Sequence, residues 1–157
     1  MIYTWGLTWG FFLGMSLSDD KIADLRVKHL EMLQAIITRM AGYGASFKSY
    51  CITVTAAVCG FAVTLQQPQI ACIALLSILA FAVADAQYLK VERRFRALFD
   101  IVRESGFEAL PTFEISLTNA PERSFWVAFV SWSILTFYGP LAIGVLTVLF
   151  GARLLHG

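Results

Sequence analysis

The sequence predicts an all-α membrane protein of three transmembrane helices, a hairpin followed by one kinked span, with helical extensions on the charged side. A chain of 157 residues that is 58% hydrophobic and only 15% charged is too apolar for a water-soluble domain, which is closer to half apolar and a quarter charged. The apolar residues are concentrated in three long stretches, and almost all charge falls between them on one side. A net charge of +1 gives no basic face of the kind nucleic-acid binders carry, so no nucleic-acid partner is expected.

Residues 1–18 form an apolar leader. Ile2 to Ser18 is uncharged and rich in aromatics, but Gly6, Gly10 and Gly14 interrupt it and its length is marginal for a hydrocarbon core of about 30 Å. It lacks the basic start and cleavage site of a signal peptide, which leaves an interfacial helix, a fourth span or an upstream extension from a misassigned start. The remainder, 19–157, reads as one three-span domain.

Ser18 can cap a helix whose first turn holds Asp19 and Asp20, where acidic groups favour the helix dipole. Leu25, Leu30, Leu33, Ile36, Ile37 and Met40 then recur every three to four residues, so 19–41 is an amphipathic helix outside the membrane. Gly42 and Gly44 interrupt this pattern. Lys48 and Tyr50 mark an interface, and the first span runs from about 50 to 65. Gln66-Gln67-Pro68-Gln69 makes a turn, the second span runs from about 70 to 88, and so short a link implies an antiparallel hairpin.

With Phe95, Leu98, Phe99 and Val102 on one stripe and no breaker before Gly106, the second helix continues outside the membrane as 88–104. Residues 105–124 contain Gly106, Pro111 and Pro121 and read as a loop, although Thr112 to Leu117 alternates as a short strand would. No charged residue occurs from Phe125 to Gly151, and Gly139-Pro140 predicts a kink in this last span. Every Lys and Arg except Arg153 then lies on the side of the N-terminal helix, which the positive-inside rule reads as cytoplasmic.

Ionisable groups at membrane depth need partners. At 1.5 Å rise per residue, Arg39 lies about 13 Å below Lys48 and Glu92 about 10 Å below Asp85, so antiparallel helices can pair Lys48 with Asp85 and Arg39 with Glu92. Such a ladder would fix the hairpin register; the same groups could instead line an ion path or ligand pocket. Lys90, Arg93, Arg94 and Arg96 sit directly below the second span, either as a topology anchor or as a contact for anionic lipid, a nucleotide or a partner. Ala45, Ala56, Gly60, Ala80 and Ala84 supply close-approach faces within or between subunits.

No catalytic, metal or cofactor site is expected. His29 and Glu31 point in different directions on a helix, and His156 belongs to the opposite side of the membrane. Neither histidine follows an arginine by four to six positions, as one class of nuclease helix requires, and there is no glycine-rich phosphate loop. Cys51, Cys59 and Cys72 lack the spacing of a zinc site and read as core residues.

His29, Glu31, Gln34, Ile37, Arg39, Met40 and Ala41, then Ser46 and Lys48, then Tyr88, Leu89, Glu92, Arg93, Phe95, Arg96, Leu98 and Phe99, and finally Phe137-Tyr138-Gly139, follow in an order that resembles the bacterial RipA-like octameric inner-membrane proteins, over about residues 20–150. The chain departs from that pattern at Gly42-Tyr43-Gly44, where a small polar residue such as Asn is expected before the serine, and in its apolar leader. More loosely, the layout is similar to small membrane proteins encoded beside antiviral systems, one of which accompanies an RNA-targeting CRISPR nuclease and forms an octameric pore.

The resemblance implies a homo-oligomer, an octamer in that family, in the bacterial inner membrane. The expectation is therefore a scaffold or pore whose helices 19–41 and 88–104 make the subunit contacts and the partner surface. The alternative is a sensor or effector that binds a ligand through Lys90 to Arg96 and alters membrane permeability. A third reading is a proton path through Asp85.

Overall fold

The computed structural model describes residues 18–105 and 113–156. The leader 1–18, Ser18 apart, lies outside the described residues. The fold is an all-α membrane protein, with three helices long and apolar enough to cross a bilayer and no strand among the described residues.

Helix α1 runs unbroken over Asp19–Thr64, 46 residues. It joins the expected amphipathic helix and first span into one rod, so Gly42 and Gly44 do not interrupt it. Both are helical, and burial against α2 on either side outweighs the propensity cost of about 1 kcal/mol per glycine. Ser18 stands at the N-cap with extended backbone, but its hydroxyl makes no capping bond; its carbonyl instead accepts from Lys21 and Ile22 N–H at 2.9 and 3.1 Å. The rod ends where Gln66 takes a left-handed φ of 53°. A 3-10 turn over Pro68–Ile70 reverses the chain, with Pro68 placed where a missing N–H does no harm.

Helix α2, Ala71–Glu104, returns antiparallel to α1 and carries the span and its polar extension in one piece. Of the Thr112–Leu117 stretch, Thr112 lies outside the described residues and 113–116 are irregular, as a loop requires, before a single 3-10 turn over Leu117–Asn119. Helix α3 covers Phe125–Phe129 and α4 covers Trp132–His156. The last span was expected to be one helix kinked at Gly139-Pro140. An interruption falls before that point, at Val130–Ser131, and α4 then runs with Pro140 inside it. The Ser131 carbonyl accepts from both Ile134 and Leu135 N–H at 3.0 Å, so it serves as a new helix start.

Two cores stack along the hairpin. At span level, Cys51, Ala62, Ala71, Ala74, Ile78, Ala82 and Ala86 pack against Ile134, Tyr138, Val145 and Leu149 of α4. Small side chains let the backbones approach where lipid removes any hydrophobic drive between helices. The alanines used are 62, 71, 74, 82 and 86; Ala56, Gly60 and Ala80 face outward. At the polar end, Leu33, Ile37, Phe95, Leu98 and Ala120 form a second core, where water is the solvent and each buried large side chain contributes about 1.5–3 kcal/mol. Exposed Tyr50, Trp126 and Trp132 girdle the level between the two, as aromatics do at a membrane surface.

Candidate functional site

The polar seam lies where the two cores meet. Lys48 on α1 reaches across to Asp85 on α2, with Nζ 2.5 Å from Oδ2. The Asp85 side chain is 4% exposed and that of Lys48 24%. Tyr138 on α4 donates its hydroxyl to the same Oδ2 at 3.3 Å, and the Phe137 ring stands 5.9 Å from Nζ, a cation–π arrangement. One carboxylate thus ties all three long helices together. Pairing offsets the otherwise large cost of holding either charge at this depth.

Gly44 explains how the seam closes. A Cβ built on Gly44 would stand 3.0 Å from Asp85 Oδ1, tighter than nearly all real contacts, so the glycine lets α1 pass over the carboxylate. A Cβ at Gly42 would meet nothing within 4 Å. A cleft of about 330 Å³ opens beside the seam, lined by Met40, Gly44, Lys48, Asp85, Tyr88, Glu92 and Ser133. Tyr88 closes one side by stacking on Tyr43 and Phe47, at ring-centroid distances of 5.5 and 5.1 Å.

The second expected rung does not form. Glu92 bonds Arg96 on its own helix, with Oε1 2.7 Å from Nη2, while Arg39 is exposed on the far side of α1. An i,i+4 partner needs no interhelical reach and is already aligned by the helix.

The basic cluster below the second span is largely engaged within the chain. Arg94 donates to the Leu117 carbonyl at 2.9 Å and Arg93 to that of Val127 at 3.4 Å. With Arg96 held by Glu92, these arginines fasten the connecting segment and α3 onto α2. Lys90 is half-buried and makes no such bond.

Arg26 and His29 are buried, a result that sequence periodicity obscured because Leu25 and Leu30 were assigned to the packed stripe. The packed line of α1 keeps Leu33 and Ile37 but takes Arg26 rather than Leu25 and His29 rather than Leu30, at the same three-to-four spacing. Arg26 donates to the Val102 carbonyl at 3.1 Å, to Ser105 Oγ at 3.2 Å and to the Ser105 carbonyl. It therefore satisfies carbonyls left unpaired at the C-terminus of α2 and sets a positive charge against the negative end of that helix.

His29 is 3% exposed under the Phe113 ring, at 5.5 Å between centroids, and neither ring nitrogen has a hydrogen-bond partner. An orphaned buried polar group costs about 1–3 kcal/mol. His29→Leu, which keeps the volume and removes the polar atoms, should therefore leave stability unchanged or raise it by about 1 kcal/mol. Thermal unfolding in detergent measures this; a drop of 2 kcal/mol or more would mean that the imidazole is satisfied.

Beyond the seam, the outward side of α1 carries a groove of about 760 Å³ lined by Val27, Leu30, Glu31, Gln34, Ala35, Thr38 and Arg39, with Phe99 of α2 at its edge. No group of His, Cys, Asp and Glu able to hold a metal occurs among the described residues. Comparison with protein-family models, with curated proteins and with solved structures gives no match to this chain.

Proposed function

We propose that this chain is the repeating subunit of a homo-oligomeric scaffold in the bacterial inner membrane, with its polar end in the cytoplasm. The observation that carries the proposal is apolar surface left uncovered where lipid does not reach. Val27 is 52% exposed, Met32 43%, Tyr43 44% and Ile101 46%, all on the polar-end extensions of α1 and α2. Exposed apolar side chains within the spans are covered by acyl chains; on a water-facing helix they favour a protein contact where they gather into a patch. The resemblance to RipA-like proteins supports the same reading and suggests eight copies.

A scaffold is favoured over a ligand-gated effector because Arg93, Arg94 and Arg96 are committed to bonds within the chain. It is favoured over an open pore because the ionisable side chains at the seam are paired with one another.

Mass measurement of the detergent-solubilised protein tests the assembly: the expected result is a multiple of 17.4 kDa, eightfold if the family likeness extends to stoichiometry. A monomer at all concentrations would end the proposal. Liposomes containing the purified protein should retain a trapped dye. Efflux would assign a pore instead.

A further inference from the structure

We infer that the cleft beside the seam holds a phosphoethanolamine group, its phosphate on Lys48 and Ser133 and its primary ammonium between Asp85 and Glu92. The site lies within one chain and does not depend on the assembly proposed above.

The ion pairs at the seam leave hydrogen-bonding capacity unused. Asp85 accepts from Lys48 and Tyr138 through Oδ2 alone, and Glu92 accepts from Arg96 through Oε1 alone. Among the described residues, neither Asp85 Oδ1 nor Glu92 Oε2 receives a hydrogen bond, although the two side chains are only 4% and 12% exposed. On the donor side, Lys48 uses one of its three N–H groups on Asp85, and the exposed Ser133 hydroxyl bonds no described residue. All four residues line the same cleft of about 330 Å³, at the small end of the range for ligand sites. A buried acceptor without a donor costs free energy, so an occupant that brings both N–H groups and acceptor oxygens is favoured there.

The order of these groups along the hairpin fits one orientation of one headgroup. Lys48 stands nearest the span, two residues before the exposed Tyr50, and Ser133 follows Trp132, which is 83% exposed. The cleft therefore sits at headgroup depth. Asp85 Oδ1 is the oxygen nearest Gly44, one turn or about 6 Å farther from the span than Lys48, and Glu92 lies about 10 Å beyond Asp85. A phosphatidylethanolamine with its acyl chains along the spans presents its phosphate first and its ammonium farther out, in the same order. A free phosphoethanolamine compound arriving from the aqueous side carries the same two groups. Phosphatidylcholine has both charges but no N–H to give the carboxylates, and phosphatidylglycerol has no cation.

Native mass spectrometry of the detergent-solubilised protein, with one dioleoyl lipid added at a time, tests the site. Phosphatidylethanolamine should bind about tenfold more tightly than phosphatidylcholine or phosphatidylglycerol, the worth of one charge-assisted hydrogen bond. Glu92→Gln disturbs only the pairing with Arg96 on its own helix. It should reduce phosphatidylethanolamine binding about tenfold and leave phosphatidylcholine binding unchanged. Ala45→Leu fills the cleft from an exposed position of α1, so it should block phosphatidylethanolamine while the lipid-free protein melts as before. Soluble glycerophosphoethanolamine distinguishes the source. Failure to compete assigns the lipid, competition at equal concentration assigns the free compound, and either result keeps the phosphoethanolamine site. Equal binding of the three lipids would overturn the inference, as would a preference for phosphatidylglycerol or a Glu92→Gln variant that keeps its selectivity.

Discussion

Asp85→Ala is expected to destabilise the protein by about 3–5 kcal/mol, the characteristic loss when one partner of a buried ion pair is removed and the other is left uncompensated. Here the stranded group is Lys48, whose ammonium sits within 2.5 Å of the carboxylate beside the span-level core, and the Tyr138 hydroxyl loses its acceptor in the same step. Lys48→Met combined with Asp85→Leu removes both charges, so it should recover most of the loss despite being the larger change. Thermal unfolding in detergent distinguishes the two variants. If Asp85→Ala and the double variant are equally unstable, charge pairing is not what Asp85 supplies. Asp85→Asn separates a structural role from a proton path: an unchanged proton flux alongside weakened assembly would end the proton-path reading.

Gly44→Val should be the second most damaging substitution, costing about 3 kcal/mol, the upper part of the range for overpacking. The obstacle is a carboxylate oxygen 3.0 Å from where the first added carbon must go, and that carboxylate is already fixed by bonds from α1 and α4. It cannot withdraw without releasing Lys48. Gly42→Ala, two residues away on the same helix, meets open space and removes a helical glycine, so it should stabilise by about 0.5–1 kcal/mol. Opposite signs for neighbouring glycines would be hard to obtain from helix propensity alone. Equal effects would mean that α1 does not approach α2 as closely as Gly44 implies.

The membrane architecture was legible because its signals are long and uninterrupted. Three apolar runs, a Gln-Gln-Pro-Gln link and basic residues confined almost wholly to one side define spans whatever the side chains do in detail. The geometry of Lys48 and Asp85 was legible for a related reason, since a fixed rise per residue converts sequence distance into height. Glu92 shows where that reasoning stops. Height alone allowed Arg39, but Arg96 offers the same charge from the next turn of the same helix.

Local breakers misled in both directions. Gly42 and Gly44 read as an interruption, yet Leu33, Ile37, Cys51 and Thr55 pack on either side of them and carry the helix through. Gly139-Pro140 lies inside α4 without ending it, while a break falls at Val130–Ser131, a pair without any strong signal of its own. The burial of Arg26 and His29 is not legible because Leu25 and Leu30, each one position away, are the apolar candidates for the same stripe. Tyr138, as a partner of Asp85, depends on how α4 docks, which pattern within a single helix does not specify.

The unbroken course of α1 makes it a lever. From Lys48 to Asp19 the rod extends about 44 Å at 1.5 Å per residue, so a tilt of about 5° at the bilayer surface swings its tip by about 4 Å. Local thinning of the bilayer is accommodated by changes in tilt, and a hinge at Gly42 or Gly44 would have absorbed such a movement before it travelled outward. Without one, a change of tilt at the bilayer surface would carry to the far end of the rod as a displacement of about 4 Å.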